Sequence, residues 1–289
     1  MRMKALFGIA LSCGLMVAAA ANAGTVEKAK KPFADADHVI YMPTNDLAKK
    51  VPAKAVNLTN HGGQVITQAH LVFIFWGPSF SGGADASYAA TLQAFRNQFG
   101  TTGEYNTITQ YSGSNGTIAL TNLAGGTADM FDTTTPPTNV TDAIVQSEVT
   151  KYLSTHTFDA NAIYEVVIPS SSYSSSGSST SCGGPSLAYC AYHGNYSTGG
   201  HNARYSIEPY PSCSGCSVSG WSAVQNQEHF VCHETREAVT DPDGTTWWDR
   251  TGYEADDKCA WSPTPFIGTG GYSYQYEWSN ANKACVKTR

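Results

Sequence analysis

Residues 222–244 read SAVQNQEHFVCHETREAVTDPDG, and they hold the signals of one helix with an unusual polar face. Ser222 followed by Gln225 forms a capping box, a pattern that predicts the start of a helix. Pro242 and Gly244 predict its end, because neither residue continues a helix readily. The sequence therefore predicts one capped helix between these signals.

The predicted helix has two faces of different chemistry. At about 100° per residue, Val231 lies with other apolar residues on one face. Roughly opposite, His229, His233 and Glu237 are stacked at intervals of four residues, and Glu234 lies beside them. This order of side chains raises the question of a metal site.

The string His233-Glu234-x-x-Glu237 differs from the His-Glu-x-x-His helix of zinc peptidases only in its last residue. Two ligands four residues apart on one rigid helix can bind one metal ion, and Glu is an acceptable oxygen ligand. Zinc lowers the pKa of bound water to about 7, so a flanking carboxylate can act as general base. We therefore predict His233 and Glu237 as metal ligands and Glu234 as the catalytic base.

An ordinary surface helix is the alternative interpretation of the same string. His233 and Glu237 would then form an i,i+4 pair on a solvated face. His229 would be a surface residue, and in the metal interpretation it is a reserve ligand only. A short motif of this kind has false positives, so the prediction needs a third ligand nearby.

Acidic residues follow the helix closely and supply candidates for that third ligand. Glu254 is the first candidate and Asp257 the second, because a downstream carboxylate would complete a zinc site with water in the fourth position. A calcium site built from oxygens, or a hydrated acidic loop, is the alternative. The expected cofactor is one divalent ion, zinc first and calcium second.

The first residues, MRMKALFGIALSCGLMVAAAANAG, are typical of a secretory signal peptide over 1–23. Arg2 and Lys4 precede an apolar stretch that ends in small residues, which predicts cleavage after Ala23. No later stretch is long and apolar enough to cross a bilayer, so no membrane anchor is expected. We expect a secreted protein, extracellular or periplasmic.

Charge divides the rest of the chain into two parts. Residues 28–54 hold six lysines and three acidic residues, whereas residues 55–289 hold ten more acidic than basic residues. We predict a leader over 24–58, either a pro-segment over an anionic cleft or a flexible arm, and a single domain over 59–289. The net charge of −6, with no basic patch, argues against nucleic-acid partners.

Seven cysteines follow the signal peptide, and export makes disulfides the expected state. Local spacing suggests the pairs Cys182–Cys190, Cys213–Cys216 and Cys259–Cys285. Cys232, inside the predicted helix, would be the odd one. A zinc cluster of cysteines is the alternative, since sequence cannot prove connectivity.

Strands and helices alternate without a regular βαβ order, which favours an α+β fold. We expect a zincin-like mixed sheet with a central motif-bearing helix and a loop-rich, disulfide-linked C-terminal part. The predicted strands lie near 71–76, 162–169, 191–196 and 204–210, and two further helices lie near 84–100 and 139–156.

The chain resembles the exordium-like, phosphate-induced protein family of secreted proteins. The landmarks run from NHGGQVITQAHLVFIFWG (60–77) through CGGPSLAYCAYHG (182–194) and CSGC (213–216) to HETREAVTDP (233–242) and YEADDKCAW (253–261). Thr235 replaces the family's Leu, the segment between Pro242 and Glu254 is short, and the later glycine run is reduced. The resemblance implies a secreted protein with a zincin-like motif, and it implies no established reaction.

Two histidines in landmark segments, His61 and His193, are each followed by glycine. Either could orient a substrate or complete the metal shell, and a structural role is the alternative.

Two functions follow from this sequence. The first is a monomeric, secreted zinc hydrolase, a metallopeptidase acting on extracellular protein, peptide or cell-wall material. The second is a non-enzymatic extracellular protein with a structural metal, whose C-terminal aromatic residues bind carbohydrate or pack in the core.

Overall fold

The computed structural model of this protein describes residues 39–50, 55–126 and 128–289. The signal peptide predicted over 1–23 and the first part of the leader, 24–38, lie outside the described residues. Within the described residues, no helix combines the length and the apolar character needed to cross a membrane.

The helices and strands are distributed along the whole described chain. The α-helices are α1 (Asn45–Lys50), α2 (Ala86–Phe99), α3 (Gly103–Asn106), α4 (Asp142–Leu153) and α5 (Ala223–Thr240). Short 3₁₀ helices span Thr107–Gln110, Ser214–Cys216, Asp257–Cys259 and Thr269–Gly271. The longer strands are β1 (Ile40–Pro43), β3 (His70–Trp76), β8 (Ala162–Val167), β9 (Tyr173–Ser176), β11 (Tyr189–Thr198) and β12 (His201–Glu208). The shorter strands are β2 (Thr59–Asn60), β4 (Ser112–Gly113), β5 (Gly116–Thr117), β6 (Met130–Asp132), β7 (Asn139–Thr141), β10 (Ser179–Thr180), β13 (Trp247–Trp248), β14 (Phe266–Ile267), β15 (Ser273–Tyr274), β16 (Glu277–Ser279) and β17 (Ala284–Val286).

Six strands form the main sheet in the order β1-β11-β12-β8-β3-β6. Strands β12, β8, β3 and β6 pair in parallel, whereas β11 is antiparallel to both β12 and β1. The predicted α+β fold with a mixed sheet is therefore confirmed. Strands β3 and β8 are almost continuously apolar because the sheet is covered on both faces.

Helices cover the sheet on its two faces. Phe73 and Phe75 of β3 pack in one core with residues of α2 and α5. Val72 and Ile74 point to the opposite face, where they share a second core with residues of α4. The alternation of side chains along β3 thus places α5 on one defined side of the sheet.

The predicted start of the motif helix is confirmed in detail. The Ser222 hydroxyl accepts a hydrogen bond from the Gln225 backbone N–H, and the Gln225 side chain accepts one from the Ser222 backbone. The helix ends at Thr240, directly before the Asp241-Pro242 turn. The strands predicted near 71–76 and 162–169 and the helices predicted near 84–100 and 139–156 are present with slightly different ends.

Three disulfides are present among the described residues, and two of the expected pairings were wrong. Their connectivity is Cys182–Cys213, Cys190–Cys216 and Cys259–Cys285, with Cys232 free and buried. The short turn from Cys213 to Cys216 packs against the start of β11. Cys216 therefore bonds to Cys190 on β11, and Cys213 bonds to Cys182, which precedes that strand, rather than to each other. Tertiary contact therefore overrides the short spacing that favoured local pairs.

Part of the predicted leader belongs to the main sheet. Strand β1, within 24–58, is one of the two edge strands of the sheet and pairs with β11. Helix α1 follows it, and no residue of α1 itself is buried.

Candidate metal centre

Helix α5 is surrounded by protein along most of its length. Every residue from Asn226 to Thr240 is buried, including the whole predicted metal motif. The alternative of a solvated polar face is therefore wrong. Buried polar groups are costly unless they are hydrogen-bonded or coordinate an ion, so the partners of this face decide its role.

One group of possible metal donors contains both helix residues predicted as ligands. His233, Glu237 and Asp257 each offer an atom within 4.8 Å of the other two. Nε2 of His233 lies 3.2 Å from Oε2 of Glu237 and 3.8 Å from Oδ1 of Asp257. The backbone N–H of Asp257 donates to Oε1 of Glu237 at 2.9 Å, which leaves Oε2 facing the histidine.

A second group shares Glu237 with the first. It contains His193, on strand β11, and Glu254, in the segment after β13. Nε2 of His193 lies 3.6 Å from Oε2 of Glu254, and its Nδ1 lies 3.8 Å from Oε2 of Glu237. Because Glu237 belongs to both groups, the two groups form one centre between α5, β11 and the 254–257 segment.

Gln275 fixes the orientation of the helix histidine His233. Its side-chain N–H donates to the backbone oxygen of Asp256 at 2.7 Å, which sets the direction of the amide. Its Oε1 then accepts from Nε2 of His229 at 2.9 Å and from Nδ1 of His233 at 3.2 Å. The proton of His233 is thus held on Nδ1, and Nε2 keeps the lone pair that a metal ion requires.

Glu234 contacts the other histidine of the centre. Its Oε2 accepts a hydrogen bond from Nδ1 of His193 at 2.8 Å. A carboxylate on Nδ1 leaves Nε2 of the imidazole as the metal-binding nitrogen. Among the described residues, Oε1 of Glu234 has no hydrogen-bond partner, so the second oxygen remains available for a proton.

Burial sets the charge state of this centre. It lowers the pKa of His233, and it lowers the pKa of His229 to about 3, so both imidazoles are neutral at neutral pH. Burial, together with Glu208 and Glu237, raises the pKa of Glu234 well above its usual range. A metal ion requires neutral imidazole ligands and would lower the pKa of a nearby carboxyl.

Two cationic side chains near the centre form ion pairs with carboxylates that lie outside it. Arg236 forms ion pairs with Asp256 and Glu277, and Lys258 lies 2.6 Å from Asp249. Four carboxylates, those of Glu234, Glu237, Glu254 and Asp257, lie buried in the centre beside the imidazoles of His193 and His233. The donor set of imidazole and carboxylate suits zinc, and a calcium site would contain oxygen donors alone.

The structure brings the predicted catalytic and metal-binding residues together. Two other histidines considered in the sequence, His229 and His61, lie outside the donor groups. Glu234, His233, Glu237, Glu254 and Asp257 all lie in this centre, with Asp257 rather than Glu254 in the group that holds both helix ligands. His229 binds Gln275 and belongs to neither described donor group. His61 is exposed and stacks on Trp248, with 3.7 Å between ring centroids.

The sequence offered His193 and His61 as two residues that could complete a metal site. It did not predict that Gln275 contacts a metal ligand. The Gly194 that follows His193 packs closely against Val39 and Tyr205, which is a weak signal at best. A glutamine in a Tyr-rich tail carries no signal of a role beside a metal ligand. Only the contact between β15 and α5 shows that role.

Two alternatives from the sequence receive no support from the site. Cys182, Cys213 and Cys216 lie close together, but each sulfur is in a disulfide, so a cysteine zinc cluster is wrong. The C-terminal aromatic rings mostly belong to the interior rather than to a carbohydrate-binding surface. Those that are buried are Trp248, Tyr253, Trp261, Tyr274 and Trp278.

Comparison with protein-family models, with curated proteins and with solved structures found no match to this chain. The resemblance to exordium-like proteins therefore stays a prediction from the motifs.

Proposed function

We propose that this protein is a secreted metal-dependent hydrolase, a zinc metallopeptidase with one divalent ion between α5, β11 and the 254–257 segment. One observation carries the proposal. Nε2 of His233, deprotonated because Gln275 holds the proton on Nδ1, faces carboxylate oxygens of Glu237 and Asp257 at 3.2 and 3.8 Å.

The donor atoms fit a zinc ion by their chemistry. His233, Glu237 and Asp257 would hold it. His193 and Glu254, which form the second donor group around Glu237, would offer further ligand atoms. A bound zinc ion supplies Lewis acidity and lowers the pKa of its water ligand to about 7.

The protein's own residues supply proton transfer and orientation. Glu234 is the general base, and its hydrogen bond to His193 fixes the carboxylate beside the centre. Gln275 fixes the imidazole of His233, and the backbone N–H of Asp257 fixes the carboxylate of Glu237. These buried contacts hold the reacting groups in place before a substrate arrives.

A structural metal site is the second candidate, and burial is the observation that favours it. His233, Glu234, Glu237 and Glu254 are each 0% exposed. A structural site is closed by protein ligands, whereas a catalytic site keeps a position for water or substrate.

Metal content and peptide cleavage separate the two candidates. The chain from Gly24 onward is purified without chelator, bound metal is measured by mass spectrometry, and casein cleavage is followed. We expect about one zinc per chain in the wild type and in Glu234→Gln, and cleavage in the wild type alone. Glu228→Gln is the matched control, because Glu228 is a buried glutamate of α5 that binds the Ser273 backbone outside the centre.

The outcomes are distinct. A chain that binds no metal contradicts both candidates. Metal binding with no cleavage, both in the intact chain and in a chain cut within residues 51–54, contradicts the hydrolase and supports the structural site.

A further inference from the structure

We infer that the edge of strand β11 is the docking site for an extended peptide substrate, and that this chain's own β1 occupies it. The inference rests on the proposed hydrolase, because the peptide would lie beside the metal centre. Strand β1 is antiparallel to β11, and Ile40 pairs directly with His193. His193 is the residue whose Nδ1 contacts the general base Glu234.

The side chains of β1 alternate between the two faces of the sheet. Met42 pairs with Ala191 and packs with Phe230 of α5, so it points toward the motif helix. Ile40, two residues earlier, lies on that same face, next to His193. Tyr41 points to the opposite face and stacks on Tyr189 with 4.7 Å between centroids.

Besides the ladder, buried side chains and hydrogen bonds hold β1 in place, and Met42 is 0% exposed. The Trp261 indole N–H donates to the Pro43 backbone oxygen at 2.7 Å, and the Tyr41 hydroxyl donates to the Ser176 backbone oxygen at 3.3 Å. Helix α1, which follows, is only partly buried: Leu47 and Ala48 pack against the cores, and its last residues, Lys49 and Lys50, are exposed. An exposed basic pair is a cleavage site for trypsin-like proteases.

The position of β1 matches that of a peptide bound by strand addition. In that mode, backbone hydrogen bonds to a sheet edge give affinity, and alternate side chains enter pockets. A ligand with apolar residues two apart would reproduce Ile40 and Met42 and would place its backbone beside His193. The substrate class is thus an extended, apolar segment of protein, and the intact chain is its own competitor.

Exchange of a labelled peptide tests the docking site without using activity. Residues 51–54 are replaced by the recognition sequence of a site-specific viral protease in a metal-loaded Glu234→Gln chain. After nicking, a fluorescent peptide of residues 39–50 is added in excess, and its anisotropy is measured. We expect saturable binding, roughly tenfold or more weaker for peptides carrying Ile40→Lys or Met42→Lys, which each put a charge on a buried face.

A Lys49→Gln peptide is the matched control, and it should bind like the parent because Lys49 is exposed. Absence of binding to folded nicked chain, or equal binding of the Ile40→Lys peptide, overturns the docking site. If the nicked chain unfolds, casein cleavage by the intact Ile40→Lys chain tests the docking site instead. There, faster casein cleavage than in the wild type supports the site, and an unchanged rate overturns it.

Cleavage by the wild-type Glu234 chain separates this inference from the proposed function. We expect nicking to increase peptide cleavage roughly tenfold or more, and the 39–50 peptide to inhibit the nicked form. Equal activity before and after nicking overturns the docking site and leaves the hydrolase intact. Peptide exchange without any cleavage supports the docking site and contradicts the hydrolase.

Discussion

Gln275 accepts a hydrogen bond from Nδ1 of His233 at 3.2 Å, and this contact decides which nitrogen of the histidine can bind a metal ion. The glutamine cannot rotate freely, because its N–H group donates to the Asp256 backbone oxygen. A residue of the C-terminal tail thereby prepares a ligand on α5.

Replacement of this glutamine should weaken metal binding without removing a ligand. We expect Gln275→Leu to lower zinc affinity by about 10–100-fold, the usual effect of losing a hydrogen-bond partner of a metal-bound histidine. Competition with a chromogenic chelator measures the affinity. Gln146→Leu is the control, because that side chain binds Asp142 on α4. Equal affinity of Gln275→Leu and wild type would show that His233 is not a ligand.

The two candidate third ligands should differ in their effect. Asp257 lies in the donor group with both His233 and Glu237, whereas Glu254 lies in the group with His193. We therefore expect Asp257→Asn to lose more metal than Glu254→Gln during dialysis against a weak chelator. The reverse order would place the ion closer to His193.

Bound metal should stabilise the folded chain. A ligand that binds only the folded state at 100 times its Kd adds about 2.7 kcal/mol to the free energy of unfolding. For a chain of this size that corresponds to a rise in Tm of roughly 5–10 °C. Thermal unfolding with zinc and with chelator measures the shift, and His233→Ala should show almost none. A full shift in that variant argues for binding elsewhere.

Stability of the metal-free protein should fall as pH rises from about 6.5 to 8. Burial raises the pKa of Glu165 to about 8 and that of Glu228 to about 7, so the folded state keeps protons that the unfolded state has already released. Below about pH 6.5 the two histidines His229 and His233 oppose this trend. Burial lowers their pKa values, so the unfolded state takes up protons that the folded state does not bind.

Denaturant unfolding at several pH values in chelator measures this dependence. Glu165→Gln should make the fall in stability smaller, since the amide has no proton to release. A free energy of unfolding that rises between pH 6.5 and 8 would contradict the prediction.

The thiol of Cys232 should be inert in the folded protein. It is fully buried, and burial raises its pKa to about 12, so the reactive thiolate is scarce. In the chain from Gly24, a disulfide reagent should detect no thiol under native conditions and one thiol in denaturant. Cys232→Ser should show none in either case. Two or more thiols in the denatured wild type would contradict the three disulfides.

Local patterns predicted the three longest helices and the four longest strands. The apolar run of β3 and the capping box at Ser222 depend on neighbouring residues only, so both could be read along the chain. The i,i+4 spacing of His233 and Glu237 likewise follows from helix geometry alone.

The disulfide pairs could not be predicted in the same way. Cys213 and Cys216 are close in sequence, yet Cys213 pairs with Cys182 and Cys216 pairs with Cys190. Both pairs form because the turn that holds Cys213 and Cys216 packs against β11. Spacing carries no information about such a contact.

The sequence by itself determined the motif helix, its ends, and the chemistry of the residues on its polar face. Tertiary structure decided that this face is buried, that His193 and Asp257 meet it, and that Gln275 sets the proton of His233. It also placed β1 against the strand that carries His193. Helix geometry and capping depend on nearby residues, whereas these contacts join segments distant along the chain that only packing of the sheet brings together.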